Sequence, residues 1–132
     1  MITESNTAAS TAAPILQYEY LQVRATVINF TGIPMEITGS DLSWGKWISS
    51  PVNVPANDES SFSSQGRDSS PSGTEGWATW KLGSANVRVT FSCPLRGSNQ
   101  QSITCDSPQY VVNATGTGGD VNYLKFTVKA KK

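Results

Sequence analysis

Four tryptophans and one charged loop are the residues whose types and spacing invite chemistry. Trp44 and Trp47 sit in Leu42-Ser43-Trp44-Gly45-Lys46-Trp47, and Trp77 and Trp80 follow the run Gly66-Arg67-Asp68-Ser69-Ser70-Pro71-Ser72-Gly73-Thr74-Glu75-Gly76. Proline, asparagine and serine separate these two ends instead of a long apolar element. An exposed indole beside Lys46 suits the headgroup layer of a bilayer, where an amphipathic ring keeps one end wet. The same flat ring would suit a sugar, and spacing alone does not choose between lipid and carbohydrate. Arg67 and Glu75 bracket a loop rich in hydroxyls and backbone donors. A guanidinium is a good phosphate partner and a carboxylate can hold an ammonium, so the loop offers both charges of a zwitterionic headgroup. An Arg67–Glu75 ion pair that merely holds its own loop reads equally well.

Composition closes other routes. The 132 residues contain no histidine, which removes the usual zinc ligand, the usual general base and the Ser-His and Cys-His nucleophile pairs. A carboxylate pair of the glycosidase kind is available in principle, but the acids are scattered singly and read as surface charge. The expectation is a binding protein, not an enzyme, with no cofactor and no metal. Ten Lys and Arg balance ten Asp and Glu. The basic excess of a nucleic-acid binder is absent, and the terminal Lys129, Lys131 and Lys132 read as a solvated tail. Gly116-Thr117-Gly118-Gly119-Asp120 looks like a phosphate cradle, but a strand pattern follows it where a helix N-terminus would be needed, so it reads as a hairpin turn. Cys93 and Cys105 read as free thiols, with a loop-closing disulfide as the alternative.

The elements that must position these residues are strands. Residues 1–16, rich in Thr, Ser and Ala, read as a disordered tail, and residues 17–132 as one domain. From Tyr18 the period is two, with Leu21, Val23, Ala25 and Val27 on one face. Met35 and Ile37 begin a short second strand, Gly39-Ser40 turns, and Asp41 to Ile48 carries the first tryptophan pair. In a regular strand Trp44 and Trp47 would face opposite ways, so at least one must be exposed or lie under a loop. Trp80 shares a face with Ala78 and Leu82 and belongs in the core, while Trp77 faces the other way. Val87 to Cys93 and Leu124 to Ala130 repeat the alternation, and no apolar set recurs at helical spacing. Short alternating strands divided by Gly, Pro and Asn describe an all-β, antiparallel β-sandwich.

Three strings carry a family resemblance: Leu42 to Trp47, Gly66-Arg67 with Ser70 to Gly76, and Phe91-Ser92-Cys93-Pro94. In order and spacing they resemble those of the aegerolysin family, over about residues 18 to 132. The resemblance implies a single-domain β-sandwich that binds sphingolipid-containing membranes, notably those with ceramide phosphoethanolamine or with sphingomyelin and cholesterol. It implies the docking half of a two-component pore-forming cytolysin or insecticidal toxin, working with a larger partner protein and able to self-associate on the membrane. Trp44 falls on the family's lipid-contacting loop tryptophan, and Arg67 to Gly76 on its headgroup region, with Ser72 where some members carry an acid. Gln22, Leu95 and Ile103 stand where fungal members carry Trp, which bears on lipid specificity more than on fold. The expected lipid-binding set is therefore Trp44, Lys46, Trp47, Arg67, Ser72, Glu75 and Trp77. A β-type pore needs hairpins with strands of about 9–11 residues and an apolar lipid face. Here the long strands are committed to a core, so this chain is expected to dock while a partner spans. A lectin-like carbohydrate-binding sandwich is the alternative. The first residues lack the basic and apolar regions of a secretory signal. The expectation is a cytoplasmic product released by a non-classical route to act at target membranes.

Overall fold

The computed structural model describes residues 18–68 and 71–131. The tail expected over residues 1–16 lies outside them. Among the described residues nine strands follow one another: β1 (Gln22–Phe30), β2 (Met35–Trp44), β3 (Lys46–Ser49), β4 (Asp58–Gln65), β5 (Thr74–Leu82), β6 (Ala85–Cys93), β7 (Gln100–Cys105), β8 (Tyr110–Thr115) and β9 (Val121–Ala130). They form a five-stranded sheet in the order β3-β4-β1-β9-β8 and a four-stranded sheet in the order β2-β5-β6-β7. Neighbours run antiparallel, except that β9 lies parallel to β1 from Val121 opposite Gln22 to Lys129 opposite Phe30. The architecture is the expected β-sandwich.

Period-two alternation puts one face of each long strand into the space between the sheets. Val23, Ala25 and Val27 of β1 meet Leu124, Phe126 and Val128 of β9 there, and Ala78, Trp80, Val87, Val89 and Phe91 close it from the other sheet. Phe62 of β4 sits at the centre, its ring 5.1 Å from Phe91, 6.5 Å from Trp80 and 6.5 Å from Phe126. Trp80 is 1 % exposed, and its Nε1 donates to the Val52 carbonyl at 2.9 Å. A buried ring of that size contributes about 4–6 kcal/mol when its polar edge is satisfied.

Each end of the core is closed by a buried asparagine at an inward position. At the Phe30 end, Asn29 donates to the Ile33 carbonyl at 2.7 Å and accepts from Thr31 N at 2.9 Å. At the opposite end, Asn122 donates to the Ser92 carbonyl and accepts from Thr117 N, both at 3.0 Å. Buried amides are stable only when so satisfied, and each fixes the turn beside it.

Three expectations need correction. Residues 18–20 form a short 3-10 turn, closed by Leu21 N donating to the Tyr18 carbonyl, so the first strand starts at Gln22 and not at Tyr18. Gly39-Ser40 is no turn. β2 runs through it with a bulge at Thr38, and Gly39 is small because the Trp77 ring lies against it, 3.3 Å from where a Cβ would stand. Nor is Asp41 to Ile48 one strand, because Gly45, at φ 95°, carries the chain from the four-stranded sheet into the five-stranded one. Both cysteines are free thiols. Cys105 pairs with Val87, and Val87 to Cys93 spans about 20 Å of strand, far beyond the roughly 7 Å that a disulfide bridges.

Candidate functional site

The Gly45 corner explains how Trp44 and Trp47 part company. Trp44 ends β2 and stands 56 % exposed. One residue past the corner the other sheet begins, and Trp47 turns inward with its ring 6.3 Å from Phe62 and 6.1 Å from Phe91. Only glycine suits the corner. Its φ is in the left-handed half of conformational space, and a Cβ would stand 2.5 Å from the Gln65 carbonyl oxygen and 2.7 Å from Thr74 Oγ1.

The loops gathered at this end are held by backbone contacts. Gly66 N donates to the Leu21 carbonyl at 2.9 Å. Gly73 packs so closely on the Cys93 carbonyl and Pro94 that no side chain fits. Thr74 Oγ1 donates to Ser64 Oγ at 2.7 Å in the buried seam between the sheets. The Cys93 thiol reaches the Asp120 carbonyl at 3.3 Å, and burial pushes its pKa up, so it acts as a small buried donor and not as a nucleophile.

On this platform the structure brings together four of the seven expected residues. A hollow of about 220 Å³ is lined by Trp44, Ser72 and Glu75 with Pro94, Leu95 and Arg96. A smaller one, about 180 Å³, lies on the other side of Trp44 and adds Arg67 to Ser72. Arg67 Nε donates to the Gly45 carbonyl at 3.3 Å, which places the guanidinium beside the indole. Glu75 pairs opposite Trp44 in the β2–β5 ladder. Among the described residues no ion pair joins Arg67 to Glu75; the one ion pair there is Lys46 Nζ with Glu19 Oε2 at 2.8 Å. Glu19, first by hydrogen bond and then by charge, raises the Lys46 ammonium above its ordinary range.

The other expected residues fall elsewhere. Trp47 belongs to the core wall. Trp77 lies on the outer face of the four-stranded sheet under the Arg88 guanidinium, 4.7 Å from its ring centre, and meets the Trp44 hollows through the shared walls at Ser43 and Glu75. Residues outside the expected lipid-binding set also stand at this end: Tyr20, Asn99 and Asp120, the last from the glycine run read as a hairpin turn, surround a separate hollow. Their only signal was a polar stretch, Leu95 to Gln101, facing a glycine turn.

The aegerolysin family model matches residues 20–131. The chain belongs to the aegerolysin family. A comparison with curated proteins finds no match. Among solved structures, the RahU protein, crystallised with a Tris molecule, is similar at TM-score 0.76 and 22% identity, covering 86% of this chain and 98% of that one. IP-1A from Alcaligenes faecalis aligns at TM-score 0.73 and 22% identity, covering 88% and 95%. Nakanori, described as a lipid binding protein, aligns at TM-score 0.74 and 10% identity, covering 84% and 71%. At these identities the likeness to RahU, IP-1A and Nakanori is one of fold. The aegerolysin strings of the sequence lie where the two sheets meet: Leu42 to Trp47 makes the corner, the described residues of the Gly66 to Gly76 string lie against it and run into β5, and Phe91 to Pro94 is the strand end beneath both.

Proposed function

We propose that this aegerolysin binds membrane lipid through the Trp44 end and serves as the docking component of a two-component cytolysin or insecticidal toxin. The observation that carries the reading is the Trp44 ring, more than half exposed on a corner that Gly45 makes possible, with Arg67 and Glu75 lining the hollows beside it. The likeness to Nakanori, described as a lipid binding protein, supports the same assignment.

The physics of docking follows from the residues. An indole set at headgroup depth removes apolar area from water, worth about 2 kcal/mol for the exposed half of a Trp ring, or roughly thirty-fold in affinity. Arg67 can take a phosphate oxygen and Glu75 an ammonium, the two charges of phosphoethanolamine-type headgroups carried on sphingolipids. No described helix is long and apolar enough to cross a membrane. The strands long enough to span, β1, β2, β5, β6 and β9, are paired within the two sheets, and their apolar faces form the core. The chain therefore docks, and a larger pore-forming partner, recruited beside it, supplies the spanning hairpins.

Liposome sedimentation across phosphatidylcholine vesicles containing ceramide phosphoethanolamine, or sphingomyelin with cholesterol, tests the lipid reading. Composition-dependent binding is expected, and failure to sediment with every composition would overturn it.

A further inference from the structure

The Trp44 hollow ends at a ridge made by Pro94 and Leu95, and beyond that ridge lies the larger hollow of the same end. Its volume is about 530 Å³, inside the roughly 300–1,000 Å³ range of ligand-holding clefts. One wall is the 94–99 loop, the other the turn between β8 and β9, and Tyr20 stands at the rim, 44 % exposed.

The two hollows differ in charge. Arg67 and Arg96 line the pair around Trp44. Among the described residues no Lys or Arg lines the larger one, and its charged side chain is Asp120. A phosphate placed there would face a carboxylate with no cation to offset it. What the walls offer is the equipment for neutral hydroxyls. Asn99 donates through Nδ2 to the Thr117 carbonyl at 2.8 Å and the Gly119 carbonyl at 3.0 Å. Those two bonds lock the turn and hold the amide plane, leaving Oδ1 as an acceptor. Gln101 accepts from Asn122 through Oε1 at 3.4 Å, so its Nε2 hydrogens remain as donors. The Asp120 carboxylate has no hydrogen-bond partner among the described residues and supplies two acceptor oxygens; its backbone carbonyl, which takes Gln22 N at 3.0 Å, fixes its position. Fixed acceptors beside amide donors match vicinal hydroxyls, each of which is donor and acceptor at once. Tyr20 and Leu95 add an apolar strip of the kind on which the C–H face of a pyranose packs.

We propose that this second hollow binds a neutral pyranose, and that the sugar is carried on a lipid, so that the end as a whole recognises a glycolipid with Trp44 in the interface beside it. The inference rests on the membrane-docking reading for the lipid half and on the larger hollow for the sugar half. Because Trp44 shares the Pro94–Leu95 ridge with it, one molecule of lipid can present its headgroup to the hollow while the bilayer surface meets the indole.

The test uses the full chain with two probes. Sedimentation is measured with phosphatidylcholine vesicles with and without monohexosylceramide, and saturation-transfer NMR with free methyl glucoside and methyl galactoside. Hexosylceramide is expected to raise vesicle affinity by about tenfold, the scale of one charge-assisted hydrogen bond. Asp120→Ala and Tyr20→Ala should each remove most of that gain. Neither side chain holds the fold, and circular dichroism and thermal melting will show the variants folded. Trp44→Ala should weaken binding to all vesicles while leaving the saturation-transfer signal of the free sugar in place. A sugar signal without vesicle binding would uphold the sugar site and overturn the docking reading. Vesicle binding indifferent to hexosylceramide, or a gain that survives Asp120→Ala, would overturn the sugar site and leave docking standing.

Discussion

The two ends of the sandwich use the same materials for opposite purposes. At the Phe30 end, polar side chains are consumed by their own loops. Asn29 ties the 31–34 turn to the 54–55 segment. Asp106 accepts from the Asn86 backbone and side chain at 2.7 and 2.8 Å, which holds its carboxyl below the usual range. At the Trp44 end the loops are fixed instead by glycines in tight backbone contact and by buried Thr74, Ser64, Asn122 and Cys93. That leaves Glu75, Arg96 and Asp120 lining hollows with their charged groups unused within the described residues. Exposed apolar rings do not tell the ends apart, since Phe30 is as exposed as Trp44. The difference lies in where the polar groups go, and a rigid end with spare polar groups is one prepared for a ligand.

Changes at each end should therefore separate stability from binding. The largest effect is expected from Asn29→Ala, which strands the amide of Thr31 and the carbonyl of Pro55. It should cost about 3 kcal/mol of folding free energy in urea titrations, while vesicle affinity of the folded protein is unchanged. Gly45→Ala should break the separation, since it forces a side chain into a left-handed backbone against Gln65. A loss of about 2 kcal/mol in stability, with weaker vesicle binding as the corner shifts, is the expected pair of results. Trp44→Ala should do the reverse of Asn29→Ala: stability within about 0.5 kcal/mol of the parent, yet roughly thirty-fold weaker sedimentation with vesicles.

A smaller effect concerns Cys93. Its folded thiol ionises above its ordinary value of 9.0 because it is buried, so the unfolded chain loses this proton first as pH rises. Stability should fall as pH climbs through about 9, and Cys93→Ser should flatten that part of the slope. The smallest effect is at the Lys46–Glu19 pair, which is exposed to solvent. Glu19→Gln should leave the melting temperature unchanged, as is usual for surface ion pairs.

Most of the fold was legible because burial on one face enforces period-two alternation. β1, β5, β6 and β9 announce themselves through Val23-Ala25-Val27, Ala78-Trp80-Leu82, Val87-Val89-Phe91 and Leu124-Phe126-Val128. What alternation does not encode is which sheet a strand joins, and Gly45 shows the consequence. Within a regular strand the two tryptophans take opposite faces, and they do, but because the chain changes sheet between them and not because one strand alternates. The role of Gly39 was misread for a related reason. A glycine can mark a turn or a close approach, and only the Trp77 ring against it decides. The site was half legible: the strings that placed Trp44, Arg67, Ser72 and Glu75 are local. The hollow of Asn99 and Asp120 is built from loops distant in sequence, 94–99 and 116–120, whose meeting depends on the Cys93 and Asn122 contacts beneath them.

The docking end can be located directly by tryptophan fluorescence with vesicles of a binding composition carrying brominated phospholipid. Trp47 and Trp80 are held in the core and Trp77 lies under Arg88, so Trp44 is the indole within reach of the acyl bromines. Quenching of the wild-type protein that disappears in Trp44→Phe is expected. Quenching that persists undiminished in Trp44→Phe would mean that another face of the sandwich meets the bilayer.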